Sequence, residues 1–168
     1  MKRKNIKLTC ISGLFAALVF VVTAYLHIPT VNGYVHVGDG IIYLVAALLP
    51  MPYAVTVGAV GALLADCLTG FAIWAPGSVI IKAVTVLLFT ARENKIITRR
   101  NLFALLPAAV VCAGGYYLYE ALVYGNFVAA LVGIPASITQ SAASSVLFVS
   151  IGLAADKMNL KSRLFGGL

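Results

Sequence analysis

Four charged side chains and one glutamine interrupt the long apolar stretches of this sequence, and they are the residues that could do chemistry. They are Asp39, Asp66, Lys82, Glu120 and Gln140. An ionisable side chain at the centre of a bilayer is unfavourable by about 3 kcal/mol on insertion scales, so by default it marks a function or a partner. Carboxylates, an ammonium and an amide can hold a ligand through charge and hydrogen bonds. The sequence has no HExxH, GxSxG or phosphate-binding loop, and we therefore expect binding and no enzyme activity.

Each of these side chains also has a purely structural explanation. Lys82 could pair with Asp66 or Glu120 and hold helices together. Asp39 could cap a helix, because a carboxylate in the first turn accepts backbone N–H groups and suits the helix dipole. Asp66 and Glu120 could be solvated at the membrane interface. The convergence of the set is stronger evidence for a ligand site than any one member.

Aromatic and histidine side chains accompany the polar set. Trp74 and Tyr116 could stack on a flat ring, although an aromatic belt at the membrane interface also explains them. His36 precedes Asp39 closely and could equally be an ordinary loop residue. The predicted ligand-binding residues are His36, Asp39, Trp74, Lys82, Tyr116, Glu120 and Gln140.

The elements that position these residues are membrane-spanning helices. Of the 168 residues, 62% are hydrophobic and 10% charged, against about 25% charged in soluble domains. The apolar stretches that could span a bilayer are Leu8–Leu26, Val37–Leu49, Pro52–Leu68, Trp74–Ala91, Leu102–Tyr124 and Gly133–Ala155. Since the connections are short, we predict one all-α domain over 1–168, a bundle of six transmembrane helices.

The distribution of basic residues predicts the orientation of this bundle. Eleven of the twelve lie before the first stretch, between the fourth and fifth, or after the sixth. With six spans these three places share one side, and the positive-inside rule makes that side cytoplasmic. We therefore expect both termini in the cytoplasm and the chain in the cell membrane. The net charge of +7 then reflects topology, and we expect no nucleic-acid partner.

A cleaved signal peptide would leave five spans and the same charge pattern. The first apolar run, Leu8–Leu26, is however longer than the ~7–15 residues of a signal core, which favours a retained span.

Depth along the helices places the polar residues in the outer half of the membrane. With a rise of about 1.5 Å per residue, Lys82 lies roughly 12 Å below the start of its span and Gln140 roughly 10 Å. We predict a pocket open to the outside, beneath the loops at 27–36, 69–73 and 125–132.

The cysteines Cys10, Cys67 and Cys112 have no metal-ligand or redox spacing. We expect them to act as small buried hydrophobes, and we expect neither a metal site nor a cofactor.

Several segments resemble the S components of energy-coupling factor (ECF) transporters. These are Gly33-Tyr34-Val35-His36-Val37-Gly38-Asp39 leading into the second span, Ala65-Asp66, Gly70-Phe71-Ala72-Ile73-Trp74-Ala75-Pro76 and Ile80-Ile81-Lys82. The resemblance covers nearly the whole chain. The segments from Ala65 to Lys82 are similar to those of the family branch that contains riboflavin, hydroxymethylpyrimidine and vitamin B6 carriers.

The resemblance implies a subunit that binds a vitamin beneath its outer loops. Its partners would be a membrane scaffold and two cytoplasmic ATPases, and reorientation in the membrane would release the substrate inward. It also implies that small residues of the first span dock on the scaffold. Gly13/Ala17 and Ser12/Ala16 have the small-xxx-small spacing that permits close helix approach, although packing within the bundle would use the same pattern.

Three carboxylates against one lysine favour a neutral or weakly basic ligand. A pyridine or aminopyrimidine vitamin fits, while riboflavin, queuosine precursors, folate and pantothenate stay open. The alternatives are a small ion-coupled carrier or channel that uses the same charges, and a structural subunit without a ligand.

Overall fold

The computed structural model describes residues 2–30 and 33–165. The helices within these ranges are α1 (Lys2–Tyr25), α2 (Gly38–Leu48), α3 (Met51–Leu68), α4 (Ala75–Leu87), α5 (Arg99–Tyr124), α6 (Phe127–Ala130), α7 (Ile134–Lys157) and α8 (Leu160–Phe165). Short 3₁₀ turns at Ala72–Trp74 and Leu131–Gly133 lead into α4 and α7. The predicted all-α membrane protein is confirmed in this part of the chain.

Helix α2 lies at the centre of the bundle. All eleven of its residues are buried, and α1, α3, α4 and α7 surround it. A helix that is apolar on every side is stable only inside a protein core or a membrane. At about 1.5 Å per residue α2 is near 16 Å long, about half of a ~30 Å bilayer core.

Four helical segments are long and apolar enough to cross a membrane. They are Asn5–Tyr25, Met51–Leu68, Arg99–Tyr124 and Phe127–Lys157, while Gly38–Leu48 and Ala72–Leu87 are shorter apolar helices. All six predicted stretches are therefore helical, but helix length alone supports four of them as spans.

Glycine lets α1 and α3 approach closely. A Cβ atom built at Gly61 would lie 2.6 Å from a side-chain carbon of Val19 and 3.2 Å from the carbonyl oxygen of Ala16. Because real Cβ atoms do not come so close, a larger residue here would push the two helices apart.

The predicted first outer loop forms a β-hairpin. Strands β1 (His27–Thr30) and β2 (Gly33–His36) pair antiparallel, with His27 opposite His36 and Pro29 opposite Tyr34. Residues 31 and 32 of the predicted loop lie outside the described residues. The strands carry β-branched and aromatic residues that suit an extended backbone, a signal that the sequence analysis did not use.

At the opposite end of the bundle, polar side chains fix the connection between α4 and α5. Asp156 accepts hydrogen bonds from the backbone N–H groups of Ile96 and Ile97 at 2.8 and 2.9 Å. Lys161 donates to the carbonyl oxygens of Ala47 and Ala91 at 2.8 and 2.7 Å. Burial lowers the pKa of Lys161. These contacts keep the basic segment 92–100, which joins α4 to α5, against the ends of the helices.

Candidate functional site

A buried ion pair joins α2 to α4. The ammonium nitrogen of Lys82 lies 2.8 Å from both carboxylate oxygens of Asp39, and both residues are about 2% exposed or less. A charge buried this deeply is stable only when it is paired and hydrogen-bonded. Sequence analysis offered Asp66 or Glu120 as the lysine's partner, but in the structure the partner is Asp39. Asp39 lies in the first turn of α2, where Val37 and not Asp39 is the N-cap residue.

Gln140 of α7 connects this ion pair to the hairpin. Its Nε2 donates to Asp39 Oδ2 at 2.9 Å, and its Oε1 accepts from the backbone N–H of His36 at 3.3 Å. Both ends of the amide are therefore engaged. The side chain ties three elements together, the hairpin, α2 and α7.

His36 continues the same network at the start of α2. Its Nδ1 accepts a hydrogen bond from the backbone N–H of Gly38 at 3.1 Å. Burial lowers the pKa of His36 to about 4, Lys82 and His27 lower it further, and Asp39 opposes them. A neutral imidazole retains the lone pair that this hydrogen bond needs.

A cavity lies between the hairpin and the ends of α3, α4, α5 and α7. Its volume is about 90 Å³, and it is lined by Tyr34, Val35, His36, Asp66, Trp74, Ser78, Tyr116, Glu120, Gly133, Ala136, Ser137 and Gln140. Aromatic rings, two carboxylates, hydroxyls and an amide thus face one space. Such a mixture of apolar surface with a few polar groups is typical of small-molecule sites.

The hairpin closes one side of this cavity through Tyr34. The phenol hydroxyl donates to Asp66 Oδ1 at 2.8 Å, and the ring packs against Phe71, with centroids 4.8 Å apart. Burial and the neighbouring Asp66 raise the pKa of Tyr34, so the hydroxyl keeps its proton and can donate. The other oxygen of Asp66, Oδ2, is buried without a hydrogen-bond partner among the described residues.

Two further aromatic residues, Trp74 and Tyr116, line the cavity. Trp74 lies 6.4 Å from Tyr116 between ring centroids, and Tyr116 shares a 2.9 Å hydrogen bond with Ser78. The Lys82 ammonium lies 4.9 Å from the centroid of the Tyr116 ring. Tyr116 therefore contacts both the cavity and the ion pair beneath it.

Glu120 lies close to Gly133, just before the start of α7. Glu120 is 3% exposed, and its Oε2 lies 2.5 Å from where a Cβ at Gly133 would stand. The absence of a side chain at Gly133 is what makes room for this carboxylate.

The predicted site residues divide into two groups. His36, Trp74, Tyr116, Glu120 and Gln140 line the cavity, and Asp39 and Lys82 form the ion pair that contacts Gln140 and Tyr116.

Sequence analysis left Asp66 open and missed several lining residues. Tyr34, Ser78 and Ser137 were not singled out, although Tyr34 stands within the quoted Gly33–Asp39 segment. Cys10, Cys67 and Cys112 were predicted to be small buried hydrophobes. The prediction is wrong for Cys10 and Cys67, which are exposed on the surface of the bundle, and holds for Cys112. Cys112 is 1% exposed, and its sulfur lies 3.8 Å from Asp39 Oδ2 and 4.0 Å from Lys82 Nζ.

The two small-residue pairs of α1 lie on different faces. Ser12 and Ala16 are buried within the bundle, whereas Gly13 and Ala17 are exposed. A Cβ at Gly13 would meet nothing within 4 Å. Leu14, 72% exposed, continues this open face.

Comparison with known families identifies the chain. The model of the family described as ECF-type riboflavin transporter, S component, matches residues 3–157, and the chain therefore belongs to this family. The resemblance found in the sequence is thus confirmed. The protein is a membrane-embedded, substrate-binding transport subunit and not an enzyme. A search of curated proteins gives no match.

Proposed function

We propose that the protein captures a small flat vitamin or vitamin precursor in the cavity beneath the hairpin. The observation that carries this proposal is the cavity itself, in which aromatic walls and a few polar groups from five elements face one space. Delivery inward then follows from ATP-driven reorientation together with a scaffold subunit and two ATPase subunits. The alternative function, a small ion-coupled carrier or channel that uses the same charges, receives no support from this site, because Lys82 is paired with Asp39.

The orientation that suits capture has six spans and both termini in the cytoplasm. It places the hairpin and cavity outside and the basic segment 92–100 inside, in agreement with the positive-inside rule. The short helices α2 and α4 act as spans because neighbouring helices surround them. Impermeant thiol labelling of single cysteines, in a variant without the native cysteines, checks this. Labelling of position 95 from outside intact cells would contradict it.

The size of the cavity favours a ligand with one ring, of the vitamin B6 or hydroxymethylpyrimidine class. Its volume of about 90 Å³ is below the ~300–1,000 Å³ of pockets for drug-sized ligands. A single ring needs less space in this cavity than a fused three-ring system.

A cavity-filling variant tests capture. Ala136 lines the cavity, whereas Ile138 of the same helix is 54% exposed on the outer surface. Mass spectrometry of protein purified in mild detergent should find a bound small molecule in the wild type and in Ile138→Phe, but not in Ala136→Phe. Equal occupancy in the two variants would place the ligand elsewhere.

We also propose that Gly13 and Ala17 form the surface that docks on the scaffold subunit. Both are exposed and permit close approach of another helix, whereas Ala16 faces α3. Gly13→Leu should leave the isolated subunit folded and able to bind ligand, yet reduce its co-purification with the scaffold. Gly61→Leu, which would strike Val19, should instead destabilise the subunit. Loss of ligand binding in Gly13→Leu with intact assembly would show that this face is internal.

A further inference from the structure

Asp66 differs from Asp39, the buried carboxylate of the ion pair. Asp39 is engaged by Lys82 and Gln140. Asp66 is 6% exposed. Its Oδ1 accepts from Tyr34 and Ser78 interacts with the same carboxyl group, while Oδ2 makes no hydrogen bond of good geometry among the described residues. A buried acceptor without a partner destabilises a protein by about 1–3 kcal/mol. An oxygen of this kind in a cavity wall indicates that a ligand donates to it.

We infer that Asp66 selects the ligand, by accepting a hydrogen bond from an amino or protonated ring-nitrogen donor of a small nitrogen heteroaromatic compound. This inference rests on the proposed function and specifies the chemistry of its substrate.

The charges around the cavity exclude an acidic substrate. Asp66 and Glu120 are among the lining residues, and no lysine or arginine is among the described residues that line it. The nearest buried cation, Lys82, is held by Asp39 at 2.8 Å and lies behind the Tyr116 ring. A carboxylate or phosphate on the ligand would lie close to the negatively charged Asp66 carboxylate, whereas an amino group there would be stabilised.

The surroundings of Asp66 also fix where the donor must lie. Tyr34 holds Oδ1, which leaves Oδ2 for the ligand. Trp74 and Tyr116 line the same cavity and offer ring surfaces on which a heteroaromatic ring can stack. Because Tyr34 belongs to the hairpin, the carboxylate that binds the ligand is also the one that holds the hairpin against α3.

The test compares two ligands that differ in one donor. The probes are 4-amino-5-hydroxymethyl-2-methylpyrimidine and the analogue with a methyl group in place of the amino group. Calorimetric titration at pH 7 should show that the wild type binds the amino compound at least tenfold more tightly. In Asp66→Asn the single amide oxygen remains with Tyr34 and an NH₂ group faces the cavity, so the preference should fall below threefold. Asp66→Ala carries the same expectation if Asp66→Asn does not fold.

Glu93→Gln is the matched control, since it removes an exposed carboxylate outside the cavity and should keep the full preference. An undiminished preference in both Asp66 variants would overturn the inference, as would equal affinity of the wild type for the two probes. If the wild type binds riboflavin but neither pyrimidine, the inference is wrong and ligand capture stands. If none of riboflavin, pyridoxine and the two pyrimidines binds to folded protein, the proposed function itself fails.

Discussion

Two neighbouring regions of this bundle contain the same kinds of side chain and use them in opposite ways. Around Lys82 and Asp39, ammonium, carboxylate and amide groups bond one another and form a closed network. In the adjacent cavity, one oxygen of Asp66 makes no hydrogen bond to any residue that the structure describes. The ion pair therefore holds helices together, whereas the cavity is free to hold a ligand.

The comparison shows that residue type and depth do not by themselves identify a binding residue in a membrane protein. Asp39 and Asp66 are both carboxylates and both are almost fully buried. What separates them is the counter-ion: the Lys82 ammonium lies 2.8 Å from both oxygens of Asp39, including Oδ1, which has no hydrogen bond of good geometry. Asp66 Oδ2 has neither a hydrogen bond nor an ion-pair partner among the described residues. The following predictions test that separation, beginning with the largest expected effect.

Removing the lysine should break the closed network. Lys82→Met leaves the Asp39 carboxylate buried without its counter-ion, and we expect a loss of about 3–5 kcal/mol in the free energy of unfolding. Denaturation in mild detergent measures this loss. Adding Asp39→Asn should recover part of it, and Lys157→Met, at an exposed lysine, should change stability by less than about 0.5 kcal/mol. Full stability of Lys82→Met would show that the pair does not hold the helices together.

Removing the amide that joins the two regions should affect both stability and binding. Gln140→Ala takes one hydrogen bond from Asp39 and one from the hairpin, and we expect stability to fall by about 1–3 kcal/mol. The hairpin should also become easier to digest with protease, while Thr139→Ala, an exposed neighbour, should leave the digestion rate unchanged. A Gln140→Ala protein with weakened ligand binding but unaltered stability would assign Gln140 to the cavity alone.

Acidification should loosen the same junction through His36. The folded pKa of about 4 lies below the ordinary value of about 6.5, so between these two values the unfolded chain binds more protons. Stability should therefore fall as the pH drops from about 6.5 towards 4, by up to about 1.4 kcal/mol per pH unit. His36→Asn, which can offer an oxygen to Gly38 without titrating, should flatten this dependence. An identical pH profile in the variant would assign the effect to other groups.

The large-scale features were accessible from the sequence because they follow from local patterns. Each of the six predicted apolar stretches, such as Val37–Leu49, contains a helix, and the hairpin end collects the polar residues as depth arguments suggested. Periodicity alone could not show that α2 is enclosed by protein on every side, because a helix that is apolar all round looks the same in lipid.

The pairing of charges needed the tertiary structure. Asp39 and Lys82 are 43 positions apart, and depth alone made Asp66 and Glu120 equally suitable partners for the lysine. Tyr34 was missed because its role depends on how the hairpin folds onto α3. The pairs Gly13/Ala17 and Ser12/Ala16 have the same spacing in the sequence. Only the packing of Ala16 against Gly61 shows which pair is buried and which is exposed.

The most direct test of the account uses Trp74, the one tryptophan in the sequence, which lines the cavity. Its fluorescence is measured in detergent-solubilised protein during titration with 4-amino-5-hydroxymethyl-2-methylpyrimidine, pyridoxine and riboflavin, with free N-acetyltryptophanamide correcting for ligand absorbance. We expect at least one of these compounds to change the emission saturably at one ligand per protein in the wild type and in Ile138→Phe, but not in Ala136→Phe. A flat response to all three in folded wild type, or equal saturable responses in the two variants, would contradict a ligand site beneath the hairpin.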